Sequence, residues 1–227
     1  RSTRVDASLM NACSTLKLIV RAGAGYDTID VKAATNSGIR VSTCKGTNAI
    51  AVAELVFGLI LASDRRIVEN SLALHQGRWN KNELSRDTRG LYGRTLGILG
   101  VGSIGCEVIK RAAAFGMPCC VWSRSLNRGP GQDEEEGGCT ELDEKTAASL
   151  GLSLALEQTS ILVAPNPESV AKMSDILSTH VASAPETDHL VSAAVLSQLR
   201  TRSIVVNCAR GSVLDHEALL KEMRGPR

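Results

Sequence analysis

The stretch Thr95-Leu96-Gly97-Ile98-Leu99-Gly100-Val101-Gly102-Ser103-Ile104-Gly105 decides the fold. Thr95 to Leu99 reads as a short buried strand, and the residues after Gly105 are apolar at helical spacing as far as Phe115-Gly116. A second strand is predicted at Cys119 to Trp122. Strand, glycine turn, helix and strand make one βαβ unit, the first half of a doubly wound parallel sheet. In that setting each glycine of the GxGxxG has its own duty. Gly100 permits the tight turn, Gly102 lets backbone reach a pyrophosphate, and Gly105 lets the helix pack on the strand. The first-turn N–H groups of Ser103, Ile104 and Gly105 have no partner within the helix, so they present donors and partial positive charge to phosphate. The alternative is a glycine-rich turn of purely structural use.

Working outward, the next informative point is the end of the second strand, Trp122-Ser123-Arg124-Ser125. A dinucleotide site selective for NAD places a carboxylate here to accept from the ribose 2′-hydroxyl. No carboxylate is present. A guanidinium between two serine hydroxyls suits a 2′-phosphate, through forked, charge-assisted hydrogen bonds. The expected cofactor is therefore NAD or NADP, with NADP favoured by Ser123 and Arg124. A solvated Arg124 stacking on adenine is the competing reading.

Further on, Val205-Val206-Asn207-Cys208-Ala209-Arg210-Gly211-Ser212 sets a cation immediately after an apolar strand. The carboxyl ends of strands in an open α/β sheet face the ligand crevice, so Arg210 is placed to grip a substrate carboxylate and polarise the adjoining carbonyl. Position alone also allows a surface arginine.

Composition narrows the class. The chain has 227 residues, 43% of them hydrophobic and 22% charged, enough for one large core or two modest ones. Its 26 basic and 24 acidic residues are interspersed and give a net charge of +2, without the basic stripe of a nucleic-acid binder. No apolar run reaches the roughly 18 residues of a membrane span, so neither nucleic acid nor membrane is an expected partner. Seven cysteines, an odd number without CxxC spacing, read as reduced core thiols rather than a zinc site. Reduced thiols point to cytoplasm, organellar matrix or stroma.

The rest of the chain keeps an α/β rhythm. Helices are expected at Leu9 to Ala12, Val31 to Asn36, Asn48 to Ile67 (capped by Asn48 or Thr47), Val68 to His75, Leu142 to Leu150 and Glu168 to Met173, with a last one from Asp215. Strands are expected at Leu16 to Val20, Ile39 to Ser42, Ile161 to Ala164, Ile176 to His180 and Ser203 to Asn207. Residues 126–138, with Asp133-Glu134-Glu135-Glu136 between glycines, read as an exposed acidic insertion. The predicted organisation is a partial substrate-binding domain over 1–46, flavodoxin-like in class, and a Rossmann-type nucleotide-binding domain over 47–227.

The glycine turn, the Trp122-Ser123-Arg124-Ser125 strand end and Asn207-Cys208-Ala209-Arg210-Gly211, in this order and spacing, resemble the D-isomer-specific 2-hydroxyacid dehydrogenases. Within that family the loop Arg21-Ala22-Gly23-Ala24-Gly25-Tyr26-Asp27, the run Asn48 to Glu54 and Gly77-Arg78-Trp79 are similar to the phosphoglycerate dehydrogenase branch. The resemblance implies hydride transfer between NAD(P) and a small D-2-hydroxy acid, D-3-phosphoglycerate being the first expectation and glyoxylate or hydroxypyruvate reduction the second. It implies that the N–H groups of Ala24 and Gly25 bind the substrate carboxylate, that Arg210 orients carboxylate and carbonyl, and that Arg1 meets the phosphate end. It also implies that Asn48 lies near the substrate, a plain helix cap being its other role, and that His180, Cys208 and Ala209 contact the cofactor. A homo-oligomer is the expected assembly.

Departures are visible too. The proline usually found two places after the family histidine is Ala182 here. Proton transfer in the family uses a histidine paired with a glutamate some tens of residues after the arginine, and the chain runs only 17 residues from Arg210 to Arg227, so it is expected to be cut before that pair. His75 and His216 read as surface residues and His189 as part of a polar loop. A catalytically dead dinucleotide-binding scaffold of the same fold is the reading from another class.

Overall fold

The computed structural model describes residues 3–79, 81–127 and 138–225. Arg1 and most of the expected acidic insertion lie outside them. The chain divides into two compact units, Arg1–Ala49 and Ile50–Arg227, a few residues beyond the 46/47 boundary expected from sequence.

The first unit contains α1 (Ala7–Asn11), β1 (Leu18–Arg21), α2 (Val31–Asn36) and β2 (Arg40–Thr43). β1 and β2 pair in parallel from Leu18↔Arg40 to Arg21↔Thr43. Asp6 and Asp30 cap the two helices, their carboxylates accepting from the N–H groups of Leu9 (3.0 Å) and Ala33 (2.8 Å). A small core of Met10, Ile29, Ala34 and Ile39 holds the unit.

The second unit carries α3 (Ala49–Asp64), α4 (Ile67–His75), α5 (Lys81–Ser85), β3 (Leu96–Leu99), α6 (Ser103–Ala114), β4 (Cys119–Trp122), β5 (Thr140–Glu141), α7 (Glu144–Ser149), α8 (Ser153–Gln158), β6 (Ile161–Val163), α9 (Pro167–Met173), β7 (Ile176–Thr179), α10 (Ala193–Ser197), β8 (Ile204–Asn207) and α11 (His216–Arg224). Its sheet has the order β5-β6-β4-β3-β7-β8. All pairs are parallel except β5 with β6, where Thr140 faces Val163 and Glu141 faces Leu162. The chain winds outward from β3 through β4 to β6, then crosses to β7 and β8. The winding direction therefore reverses between β3 and β7, where α/β sheets open a ligand crevice.

Strand alternation divides the core between the two faces of the sheet. Leu96, Ile98, Cys119, Val121 and Ile176 pack with Val56 and Ile60 of α3 and Val108 and Ile109 of α6. Leu99, Cys120 and Leu177 pack on the other face with Val170 of α9 and Val195 and Leu196 of α10. This is the doubly wound α/β class read from the sequence.

Two carboxylates tie down the segment that leads into β3. Asp64, at the end of α3, accepts from the Gly90 N–H (2.9 Å) and the Arg94 guanidinium (2.6 Å), with both side chains of the ion pair buried. Asp175, just before β7, accepts from the Thr95 N–H (3.0 Å) and lies 3.4 Å from each of Arg89 and Arg200.

Several expectations need correction. The helix expected over Leu142 to Leu150 is α7, but the chain then turns at Gly151 with φ +67° and a further short helix that was not expected, α8, follows before β6. The short α5, α10 and edge strand β5 carry too few residues for a periodic signal. Only Cys106, Cys119 and Cys120 are core thiols. Cys13 is exposed in the turn that leaves α1, and Cys44, Cys139 and Cys208 are partly exposed. Among the described residues no helix is long and apolar enough to cross a membrane.

Candidate functional site

Because β3, β4, β7 and β8 run parallel, the residues that follow them emerge on one rim of the sheet: Gly100, Ser123, His180 and Cys208. Backbone hydrogen bonds join these exits. The Gly100 N–H donates to the Trp122 carbonyl (2.8 Å), and the His180 N–H donates to the Leu99 carbonyl (2.7 Å).

Gly100 has φ +102°, and a Cβ there would stand 2.8 Å from the His180 carbonyl. A side chain is thus barred by both conformation and the neighbouring strand exit. A Cβ on Gly105 would lie 2.2 Å from the Gly100 carbonyl oxygen, so the start of α6 approaches the turn as closely as glycine permits. At Gly102 nothing among the described residues lies within 4 Å of such an atom. Gly102 is also the N-cap of α6, and no side chain caps that helix. The turn therefore shows open space beside first-turn amides of Ser103, Ile104 and Gly105, a cradle whose shape and polarity fit a diphosphate.

After β4, Ser123 is buried, its hydroxyl 2.8 Å from that of Ser125. Asn127 fastens this turn across the rim by donating to the carbonyls of Ala164 (2.9 Å) and Pro165 (3.2 Å). Arg124 is exposed, with its guanidinium 3.7 Å from the Glu186 carboxylate. Glu186 was not singled out in the sequence. It belongs to the turn Pro185–Thr187 beyond β7, and no local pattern links it to β4.

After β8, Asn207 organises the loop. Its Oδ1 accepts from the Thr179 hydroxyl (2.8 Å) and the Ala209 N–H (3.0 Å), while its Nδ2 donates to the Arg210 carbonyl (2.9 Å). The Arg210 backbone is fixed in an extended conformation, and its exposed guanidinium donates to the Ala209 carbonyl at 3.1 Å. Cys208 is half-buried, and burial raises its thiol pKa. Asn207 was quoted in the sequence motif without a role, although an Asn at a strand end is a familiar local hydrogen-bonding device.

The His180 ring packs back toward the sheet, its Nε2 2.9 Å from the Ser178 hydroxyl, while Nδ1 is buried without a partner among the described residues. Desolvation pulls its pKa down to about 4, so it is neutral at pH 7. The folded pKa lies below the unfolded value of about 6.5. The neutral ring's contribution is thus complete above pH 6.5 and is lost as pH falls from there toward 4. The loss is expected to approach about 3 kcal/mol. Denaturant midpoints measured at pH 7 and pH 4.5 should fall less in His180→Gln than in wild type; equal falls would remove His180 as a source.

In the first unit, Arg21 wraps the loop after β1 by donating to the carbonyls of Gly25 (3.2 Å) and Ala22 (3.3 Å). Ala24 and Gly25 are half-buried in that loop, and Asn48 is exposed one residue before α3. The structure thus gathers Gly100, Gly102, Ser103, Ile104, Gly105, Ser123, Arg124, His180, Cys208, Ala209 and Arg210 on one rim of the second unit, with Ala24, Gly25 and Asn48 in the first unit.

A doubly wound domain with a glycine-turn cradle and a strand-end arginine on one rim has the architecture of the dinucleotide-binding folds. The chain belongs to the D-isomer specific 2-hydroxyacid dehydrogenase family, whose catalytic-domain model matches residues 1–218. It is similar to a hydroxypyruvate reductase of Thermotoga maritima, 35% identical over 98% of this chain and 62% of that protein. It is also similar to a D-3-phosphoglycerate dehydrogenase of Methanocaldococcus jannaschii, 33% identical over 98% of this chain and 37% of the relative. Among solved structures, the NAD-dependent formate dehydrogenase of Staphylococcus aureus in complex with NAD superposes with a TM-score of 0.73 at 25% identity, covering 96% of this chain and 57% of that one. The chain spans between about two fifths and three fifths of the length of these proteins.

Proposed function

We propose that this chain is the nucleotide-binding part, with a portion of the substrate-binding part, of an NAD(P)-dependent dehydrogenase acting on a small D-2-hydroxy acid. The observation that carries this reading is the open face at Gly102 between two glycines that no other residue can replace. Amides of Ser103, Ile104 and Gly105 hold the diphosphate, Ser123 and Arg124 receive the adenosine ribose, and His180, Cys208 and Ala209 line the remainder of the cofactor wall. When bound, the nicotinamide ring supplies or accepts the hydride at C2 of the acid.

Arg210 grips the substrate carboxylate with its fork and draws charge toward the C2 oxygen. The family resemblance assigns further backbone donors for the carboxylate to Ala24 and Gly25, and contacts with the rest of the substrate to Asn48 and Arg1. His180 is not the acid that protonates the developing alkoxide, because a ring with pKa near 4 carries no extra proton at pH 7. The family resemblance assigns that step to a histidine–glutamate pair C-terminal to Arg210.

D-3-phosphoglycerate is the substrate supported by the loop around Ala24 and by Gly77-Arg78-Trp79. Arg124, as a 2′-phosphate partner, favours the second reading, an NADP-using hydroxypyruvate or glyoxylate reductase. Rates of the full-length protein with phosphohydroxypyruvate, hydroxypyruvate and glyoxylate, each with NADH and NADPH, separate the two; no oxidation of either nucleotide with any of the three would defeat both. A homo-oligomer accords with apolar side chains exposed in the second unit, including Ile50, Leu55, Leu59, Leu72 and Trp79.

Arg124→Asp is expected to weaken NADP binding by about tenfold or more, with a much smaller effect on NAD. Equal losses for the two nucleotides would remove Arg124 from a 2′-phosphate site.

A further inference from the structure

The strand end that lacks a carboxylate in the sequence has one in the fold. Glu186 reaches it from the β7 side, 3.7 Å from the Arg124 guanidinium. The turn bearing Glu186 is built rather than loose. Pro185 fixes its first residue, and the buried Thr187 accepts from the Ala184 N–H at 2.9 Å while its hydroxyl donates to the Ala182 carbonyl at 2.7 Å.

We propose that Glu186 sets the balance between NADP and NAD by occupying Arg124 and opposing a 2′-phosphate. The proposal rests on the cofactor reading above and goes beyond it by naming the residue that sets selectivity. A 2′-phosphate that pairs with Arg124 must displace the Glu186 carboxylate, and the two anions then share one neighbourhood. A 2′-hydroxyl carries no charge and meets no such repulsion. Arg124 therefore permits NADP while Glu186 restrains the preference, so the site accepts both nucleotides. The Arg124 and Glu186 side chains are 48% and 65% exposed, so the pair is open to displacement and its effect is screened by salt.

The test is a titration of the full-length protein with NADPH and NADH, followed by nicotinamide fluorescence. Glu186→Gln keeps the size of the side chain and removes its charge at an exposed position. It is expected to tighten NADPH binding about three- to tenfold while changing NADH binding less than about twofold. That gain should shrink in 0.5 M salt, and it should be smaller when Arg124→Gln/Glu186→Gln is compared with Arg124→Gln, because no guanidinium remains to be freed and only the direct repulsion is relieved. A wild type that binds both nucleotides, with the ratio unchanged in Glu186→Gln, overturns the proposal alone. A folded wild type that takes up neither nucleotide overturns the cofactor reading and this proposal with it.

Discussion

Arg210→Ala in the full-length protein is expected to lower turnover by about a hundred- to a thousandfold while leaving nucleotide affinity nearly intact. Arg210 stands at the exit of a parallel strand on the same rim as the glycine turn. Its backbone is held by the Asn207 side chain, which donates to the Arg210 carbonyl while bound to Thr179 on the adjacent strand. The guanidinium thus projects from a fixed point, and a fixed point is what transition-state stabilisation needs. In the proposed role, removing it deprives the substrate carboxylate of its fork and the C2 oxygen of a nearby positive charge. Arg210→Lys should recover only part of the loss, since a lysine keeps the charge but not the fork. Steady-state rates with the best keto acid, beside nucleotide titrations, check this. Turnover of Arg210→Ala near the wild-type rate would place the arginine outside the chemistry.

The second large effect concerns stability. Asp64→Ala is expected to destabilise the protein by about 3–5 kcal/mol, a fall in Tm on the order of 10 °C for a domain of this size. The reason is the partner left behind. Arg94 is as buried as Asp64, and without the carboxylate its charge remains in the interior while the Gly90 N–H loses its acceptor. Asp64→Leu/Arg94→Met removes both charges together and should regain most of the loss. Calorimetry of the two variants decides the matter. If the double variant melts no higher than Asp64→Ala, the stranded charge is not the cause.

Much of the fold was legible because its signals are local. Strand β3, the glycines after it and the apolar face of α6 are contiguous, so one window of sequence carries the strand, the turn and the helix start. β4 was equally plain from Cys119 to Trp122, and the last helix, expected from Asp215, is α11, with Asp215 as its cap. The signal was missing where elements are too short to show a period, as in α5, α8, α10 and β5. The arrangement of the candidate site was half legible for a related reason. Gly100, Arg124 and Arg210 each follow a strand and announce themselves by position. Glu186 and Asn207 act through partners on other strands, and pairing between segments far apart in sequence has no local periodic trace. The exposed Cys13 shows the converse error, in which residue type alone suggested burial.

The two-residue antiparallel strand Thr140–Glu141 closes one margin of the large sheet, and both residues are exposed. A longer apolar ribbon in that place would offer an extended row of unsatisfied amides and carbonyls on which a neighbouring molecule could nucleate cross-strand stacking. So brief a hem, bearing a negative charge on Glu141, gives intruding chains little to grasp. On this margin, protection against fibrillar association is expected to come from the sheet's border rather than from its interior.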